Sequence, residues 1–291
     1  MRMRPLGPAA PQVSAIGFGG MPLSIQDRPD ERQAVDVIHA ALGAGMTLID
    51  TADVYCLDDN DIGHNERLIA KALSSWPTSR DSIIVATKGG MIRPDGRWQR
   101  RGSPEHLAAA CDRSLRALGV ERIDLYQFHA PDTAVPFEDS VAALAALREE
   151  GKIRWVGLSN VSVAQIQAAQ AIVEVTTVQN RLSPFFREAL ETGVVKYCRE
   201  NGIGFLAYSP VGGGRLNKKL PAHPEARSIG DRHKVSAHAV VLAWVLARAP
   251  NVIAIPGART VAHALDSAAA AELVLEPEEL EVIDRADFST A

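Results

Sequence analysis

The sequence predicts an α/β fold: a (β/α)8 TIM barrel, formed as a single domain over residues 1–291. Three observations lead there. Eight short runs rich in apolar and β-branched residues recur along the chain, and longer amphipathic segments separate them. The runs are apolar almost throughout rather than strictly alternating, as parallel strands covered on their outer face must be. The whole set fits the length of roughly 250 residues that such barrels need.

Taken in order, the runs are VSAIGF (13–18), MTLID (46–50), SIIVATK (82–88), IDLYQFH (123–129), IRWVGLS (153–159), VTTVQ (175–179), IGFLAYS (203–209) and NVIAIP (251–256). After the first comes GFGGMP, in which proline follows the glycines and no helix opens. A doubly wound open sheet ordinarily passes from its first strand through GxGxxG straight into a helix, so the barrel is preferred. The segment ERQAVDVIHAALGAG carries Val35, Ile38, Ala41 and Leu42 on one helical face. A third-unit helix is expected with Ser103 as N-cap, Pro104 at its first position and Gly119 after its end. FEDSVAALAALREEGK closes on Gly151 in the same manner, and VSAHAVVLAWVLARAP is expected to run until Pro250 stops it. Residues 210–234 read as the longest irregular piece, lying between strand seven and its helix.

Composition excludes several classes of function. A net charge of −4 offers no basic surplus for neutralising phosphates, so no nucleic-acid partner is expected, and the basic stretch RPDGRWQRR (93–101) reads as a solvated loop. Three separated cysteines (Cys56, Cys111 and Cys198) form no CxxC and no disulfide framework, which suits a reducing compartment. MRMRPLGPAAPQ lacks the apolar segment of a signal peptide, and no apolar run is long enough to span a membrane, so a cytoplasmic location is expected. His64 and the acidic stretch from Asp58 to Asp61 show no metal-ligand spacing, and no metal is expected.

In this architecture the working site forms at the C-terminal ends of the strands. The polar residues there are Asp50 with Tyr55 a turn beyond, Lys88, His129, Ser159 with Asn160, Gln179 with Asn180, and Tyr208 with Ser209. A free phenol is a sluggish acid at neutral pH, and a nearby ammonium favours its ionised form. Lys88 is therefore expected to lower the pKa of Tyr55, with Asp50 holding Lys88 charged and in place. His129 would hydrogen-bond the oxygen that receives the proton. Such a group protonates a carbonyl oxygen while another species attacks its carbon. No GxSxG is present for acyl transfer, which leaves a nicotinamide hydride as the attacking species.

These residues resemble the aldo-keto reductase family over nearly the whole chain, through DTADVY, VATKGG, LYQFHAP, GLSN, VQN and AYSPVGG. The resemblance implies NADPH-dependent reduction of an aldehyde or ketone, with NADH possible, and a catalytic tetrad of Asp50, Tyr55, Lys88 and His129. It implies that Ser159, Asn160 and Gln179 bind the carboxamide, that Tyr208 stacks on the nicotinamide, and that Gly20 and Met21 border it. It implies that Ser209, Pro210, Val211, Gly212, Gly213 and Arg215 hold the pyrophosphate. The segment IPGARTVAHALDS would grip the adenosine through Ile255, Gly257, Arg259, His263, Asp266 and Ser267. Here the sequence departs from the family: Gly257 and Ala258 stand where many members have Lys-Ser, and Asp266-Ser267 where they have Glu-Asn. The substrate, a small carbonyl compound, would meet Tyr55, Trp98 and His129. The short stretch after the last helix implies an open pocket, and a monomer or weak homo-oligomer is expected. Two rivals are a Schiff-base aldolase working through Lys88, which Asp50 disfavours by keeping the amine charged, and a nucleotide-sensing channel subunit.

Overall fold

The structure, a computed structural model, describes residues 1–290. Eight parallel strands form one sheet: β1 (Phe18–Gly19), β2 (Leu48–Asp50), β3 (Ile84–Gly89), β4 (Ile123–Phe128), β5 (Ile153–Ser159), β6 (Val175–Arg181), β7 (Gly204–Tyr208) and β8 (Val252–Ala254). They neighbour one another in chain order. Parallel bridges from Ile16 to Ala254 and from Gly19 to Gly257 join the first strand to the last and close the cylinder. Gly17 N–H donates to Ala254 O at 2.8 Å and Gly19 N–H to Pro256 O at 2.9 Å across that seam.

The helices lie outside. They include α1 (Glu31–Gly43), α2 (His64–Ser74), α3 (Pro104–Leu118), α4 (Phe137–Glu149), α5 (Val163–Gln170), α6 (Val194–Glu200), α7 (Pro224–His233), α8 (Ala237–Leu246), α9 (Val261–Ala269) and α10 (Pro277–Arg285). Their ends follow local chemistry. Asp30 caps α1 through Gln33 N–H, Ser103 caps α3 with Pro104 at its first position, and Gly119 turns left-handed at its close. Ser162 and Gln165 form a reciprocal capping box on α5.

Period-two alternation divides the strand side chains between two cores. Leu48, Ile84, Ala86, Leu125, Trp155, Leu206 and Ile253 fill the cylinder, together with Leu6 and Val13. Residues of opposite parity, such as Ile49, Tyr126, Val156 and Phe205, pack against the helices. Asp50, Lys88, Gln127 and Gln179 share the inward parity of the cylinder core, which carries them to its C-terminal rim.

Three expectations need correction. The run 13–18 is not one strand. Gln12–Ser14 pairs antiparallel with Met3–Pro5 in a hairpin at the N-terminal end of the barrel, and only Phe18–Gly19 enters the sheet. That hairpin lies close beneath the barrel: a Cβ on Gly204 would stand 1.9 Å from Leu6 O. Residues 210–234 are not irregular, since they contain short turns at Gly213–Leu216 and Asn217–Ala222 and then α7. Pro250 does not end α8, which closes at Leu246. Arg4, from the hairpin, donates at 2.8 Å to Leu246 O, at the helix end, and at 2.8 Å to Ala249 O, in the turn beyond it.

Candidate active site

Asp50, Lys88 and Tyr55 converge at the rim. Strand pairing sets the first two: Asp50 lies opposite Ala86, two residues before Lys88 on β3. Lys88 Nζ donates to Asp50 Oδ2 at 2.6 Å, to Tyr55 Oη at 2.9 Å and to Thr51 O at 2.9 Å. All three protons of the ammonium are thus used. Lys88 is 0% exposed, and Asp50 and Tyr55 are 2% and 7% exposed. Tyr55 reaches the site because residues after β2 turn back at once, with Tyr55 N–H bonded to Ala52 O.

Asp50 is held from behind. Its Oδ1 accepts from Gln179 Nε2 at 2.7 Å and from Gln127 Nε2 at 3.2 Å, and Gln179 Nε2 also reaches Gln127 Oε1 at 3.1 Å. Gln179 therefore serves the carboxylate here, beyond the carboxamide role expected of it. Gln127 is not among the residues the sequence points to, although it stands two residues before His129 in LYQFH and so shares its face.

Electrostatics follows from burial. Burial works to discharge Lys88, yet the Asp50 carboxylate and the Tyr55 oxygen outweigh it, and its pKa stands above the usual lysine value. The expectation for Tyr55 is corrected. Desolvation of the phenolate pushes its pKa above 10.0, and the pull of Lys88 offsets only part of that rise. Tyr55 is thus a phenol throughout the neutral range. His129 follows β4, its ring 5.9 Å from that of Tyr55 and nearly perpendicular. Burial first, and then repulsion from Lys88, hold its pKa well below 6.5, so the ring is neutral at pH 7. Its Nδ1 is buried without a partner. Trp98 meets Tyr55 edge-on at 6.3 Å.

Beside this centre lie the residues expected to bind cofactor. Tyr208 Oη donates to Asn160 Oδ1 at 2.7 Å. Asn160 Nδ2 donates to His129 O at 3.0 Å and to Ser159 Oγ at 3.1 Å, and Ser159 Oγ donates to Gln179 O at 2.8 Å. Asn160 and Ser209 both hold left-handed backbone, at φ 59 and 48. That conformation is uncommon for residues with a Cβ and gathers at ligand sites. Pro210 is buried and Val211 half-buried, and they lead into Gly212 and Gly213 at φ 90 and 79. Gly214 is exposed, and a Cβ there would meet nothing within 4 Å. Arg215 is bound to Thr290 O. Gly20 is pinned by Asn65, whose Nδ2 donates to Gly20 O at 2.8 Å, while Met21 is 37% exposed.

At the expected adenosine end, Ile255 is buried and Gly257 lies against Pro22. Arg259 is engaged differently from expectation: its Nε donates to Pro22 O at 3.2 Å and its Nη2 to Gln26 O at 2.7 Å, tying the loop after β1 to the loop after β8. His263 is exposed in the first turn of α9, Ser267 is half-buried, and Asp266 Oδ2 accepts from Ser236 Oγ at 2.7 Å. Thus Asp50, Lys88 and Tyr55 meet within hydrogen-bond reach and His129 faces Tyr55 ring to ring at 5.9 Å, whereas Arg259 and Asp266 already hold partners within the protein. His64, the first residue of α2 after the acidic loop, pairs through Nδ1 with Ser24 Oγ at 2.8 Å. No helix among the described residues is long and apolar enough to cross a membrane.

The Aldo/keto reductase family model matches residues 15–287. The chain is 37% identical to "Probable aldo-keto reductase 1" of Glycine max, over 87% of this chain and 79% of the relative. Among solved structures it is similar to the glycerol dehydrogenase AKR11B4 of Gluconobacter oxydans, with a TM-score of 0.84, 28% identity, and 97% and 94% of the two chains covered. It is also similar to an aldo/keto reductase of Klebsiella pneumoniae solved with NADP and acetate, with a TM-score of 0.82, 27% identity, and 98% and 95% covered.

Proposed function

Since this chain belongs to the aldo/keto reductase family and is therefore an NAD(P)H-dependent carbonyl oxidoreductase, we propose that it reduces an aldehyde or ketone to the alcohol with NADPH, using Tyr55 as general acid. The observation that carries this reading is the buried chain from Asp50 through Lys88 to Tyr55, linked at 2.6 and 2.9 Å.

The residues present fit the cofactor. The left-handed Asn160 and Ser209, the Tyr208 ring and the open backbone at Gly214 form a rim with an aromatic face, an amide and accessible N–H groups. Asn160, Ser159 and Tyr208 would hold the nicotinamide, the 209–215 turn the pyrophosphate, and His263 with Arg259 Nη1, which takes no part in the ties to Pro22 O and Gln26 O, the adenosine phosphate. NADPH, the cofactor named with the Klebsiella relatives, supplies a hydride when bound. The chain does the rest. His129, a neutral ring, donates one N–H to the carbonyl oxygen and orients it. Tyr55 Oη gives that oxygen its proton as charge builds there. Lys88 stabilises the phenolate left behind, and Asp50 keeps Lys88 charged. A Schiff base at Lys88 is disfavoured, because an ammonium with a raised pKa has no free lone pair.

The test is a panel of aldehydes and ketones with NADPH and NADH side by side, in the wild type and in Arg259→Leu. NADPH-dependent conversion is expected, and the substitution should weaken NADPH about tenfold more than NADH, the loss of roughly one charge-assisted contact. Absence of any reduced-cofactor consumption would sink the reading. Equal losses would make Arg259 a loop tie only.

The pH profile has a definite shape. The active forms are neutral His129, whose pKa is depressed, and protonated Tyr55, whose pKa is raised. Reduction should therefore cross pH 6.5 without an inflection and fall only as the phenol ionises above pH 10. An inflection near 6.5 that vanishes in His129→Gln would contradict this.

A further inference from the structure

The loop after β3 hides a second cation that the mechanism above does not use. Arg93 is 1% exposed, as deeply placed as Lys88. Unlike Lys88, it has no carboxylate. Its Nη2 donates to Leu57 O at 3.0 Å, while Nε and Nη1 are buried without an acceptor. The ring of Trp98 lies over the guanidinium at 3.9 Å.

None of the acids of the surrounding loops forms an ion pair with Arg93 among the described residues. Asp61 pairs with Arg28 at 2.5 Å and accepts from Leu57 N–H. Asp58 accepts from Asn60 N–H. Asp95 pairs with Arg97 at 3.1 Å in solvent. Asp132 accepts from Gly102 N–H and Ala134 N–H, and Asp53 faces Arg113 at 3.8 Å. A guanidinium taken out of water with two of its donor groups idle is costly, and holding one carbonyl does not require it. What matches its planar fork is a carboxylate. Trp98 stands between the arginine and the chemistry: the ring that covers Arg93 is the ring that meets Tyr55 edge-on at 6.3 Å. Trp98 is 44% exposed while Arg93 is 1% exposed, so the indole is the solvent side of this stack. Arg100 and Arg101, exposed on the same loop, favour the approach of an anion.

We propose that Arg93 sets substrate class: Trp98 swings aside and Arg93 takes the carboxylate of a short aldehyde acid or keto acid whose carbonyl lies at Tyr55. This rests on the carbonyl-reductase reading of the same site. The experiment compares matched pairs with NADPH, succinic semialdehyde against butanal and carboxybenzaldehyde against benzaldehyde, in the wild type, Arg93→Gln and Arg93→Lys. In the wild type the acids should lead in kcat/KM by at least about tenfold. Arg93→Gln should remove that lead, chiefly through KM, with the neutral aldehydes within about twofold of wild type. Arg93→Lys, which keeps the charge without the fork, should fall between. Equal use of acid and neutral aldehydes by the wild type overturns the proposal alone, and needs no variant to fold. A parallel loss on both classes in Arg93→Gln, with a lowered Tm, overturns it in favour of a loop-holding role. Failure to reduce any of the four compounds overturns the proposal as well; conversion of other carbonyls in the wider panel would then leave the reductase reading standing, and conversion of none would remove both.

Discussion

Tyr55→Phe loses carbonyl reduction by a factor of about 10²–10⁴ and keeps NADPH affinity within about twofold, the range expected when a positioned general acid is deleted and little else changes. The substitution removes one oxygen. That oxygen accepts from Lys88 at 2.9 Å and is bonded to no other group in the described structure. The ring itself is packed edge-on against His129 and Trp98, and phenylalanine preserves both contacts. The residues assigned to the cofactor are held by other partners: Asn160 by His129 O and Ser159, and Ser159 by Gln179 O. Cofactor titration by fluorescence and single-turnover reduction, run on the same preparation, separate binding from chemistry. Full activity in the variant would assign the proton to another donor, and a large loss of NADPH affinity would make Tyr55 part of the cofactor seat.

How much of this site was legible in the sequence depended on what each residue's neighbours required. Asp50, Lys88 and His129 end apolar runs, and parallel strands buried on both faces leave such runs conspicuous. Once the runs close into a barrel, their ends share one rim, so the convergence of these groups was legible without coordinates. The direction of the Tyr55 shift was not, because it turns on how completely the site excludes water. The first strand was misplaced because no polar residue after Ser14 separates the hairpin from the barrel strand, and VSAIGF reads as one run. Helix α7 is faint in the sequence because the face it buries, Ala226, Ile229 and Gly230, is narrow and mostly small among polar neighbours, although Pro224 at its first position is a start signal. Arg93 heads a run of basic residues and so reads as solvated; its burial comes from Trp98 and Leu57 folding against it, which no local pattern announces.

Asp50→Asn is expected to cost stability as well as rate, and the pH dependence of that cost identifies its cause. The carboxylate satisfies a fully buried ammonium at 2.6 Å through one oxygen and two glutamine N–H donors through the other. An asparagine must turn its NH₂ toward one of these donor sets, and it leaves Lys88 charged and unmatched. Breaking one partner of a buried pair costs about 3–5 kcal/mol, which lowers Tm by about 10 °C in a chain of this size. In the wild type the folded pKa of Lys88 is raised, so its contribution is present below the unfolded value of 10.5 and is lost as pH rises through the folded one. In the variant the uncompensated ammonium should deprotonate early, which places the folded pKa below 10.5. Its stability should then climb with pH between the two values, narrowing the gap to wild type. Thermal melts from pH 7 to about 10 test this, and a deficit independent of pH would mean that packing, rather than the unmatched charge, carries the cost. The double variant Asp50→Asn with Lys88→Met should recover much of the stability, since removing both charges of a buried pair is often near neutral. It should not recover reduction, because Tyr55 then gives up its proton with no ammonium to hold the phenolate.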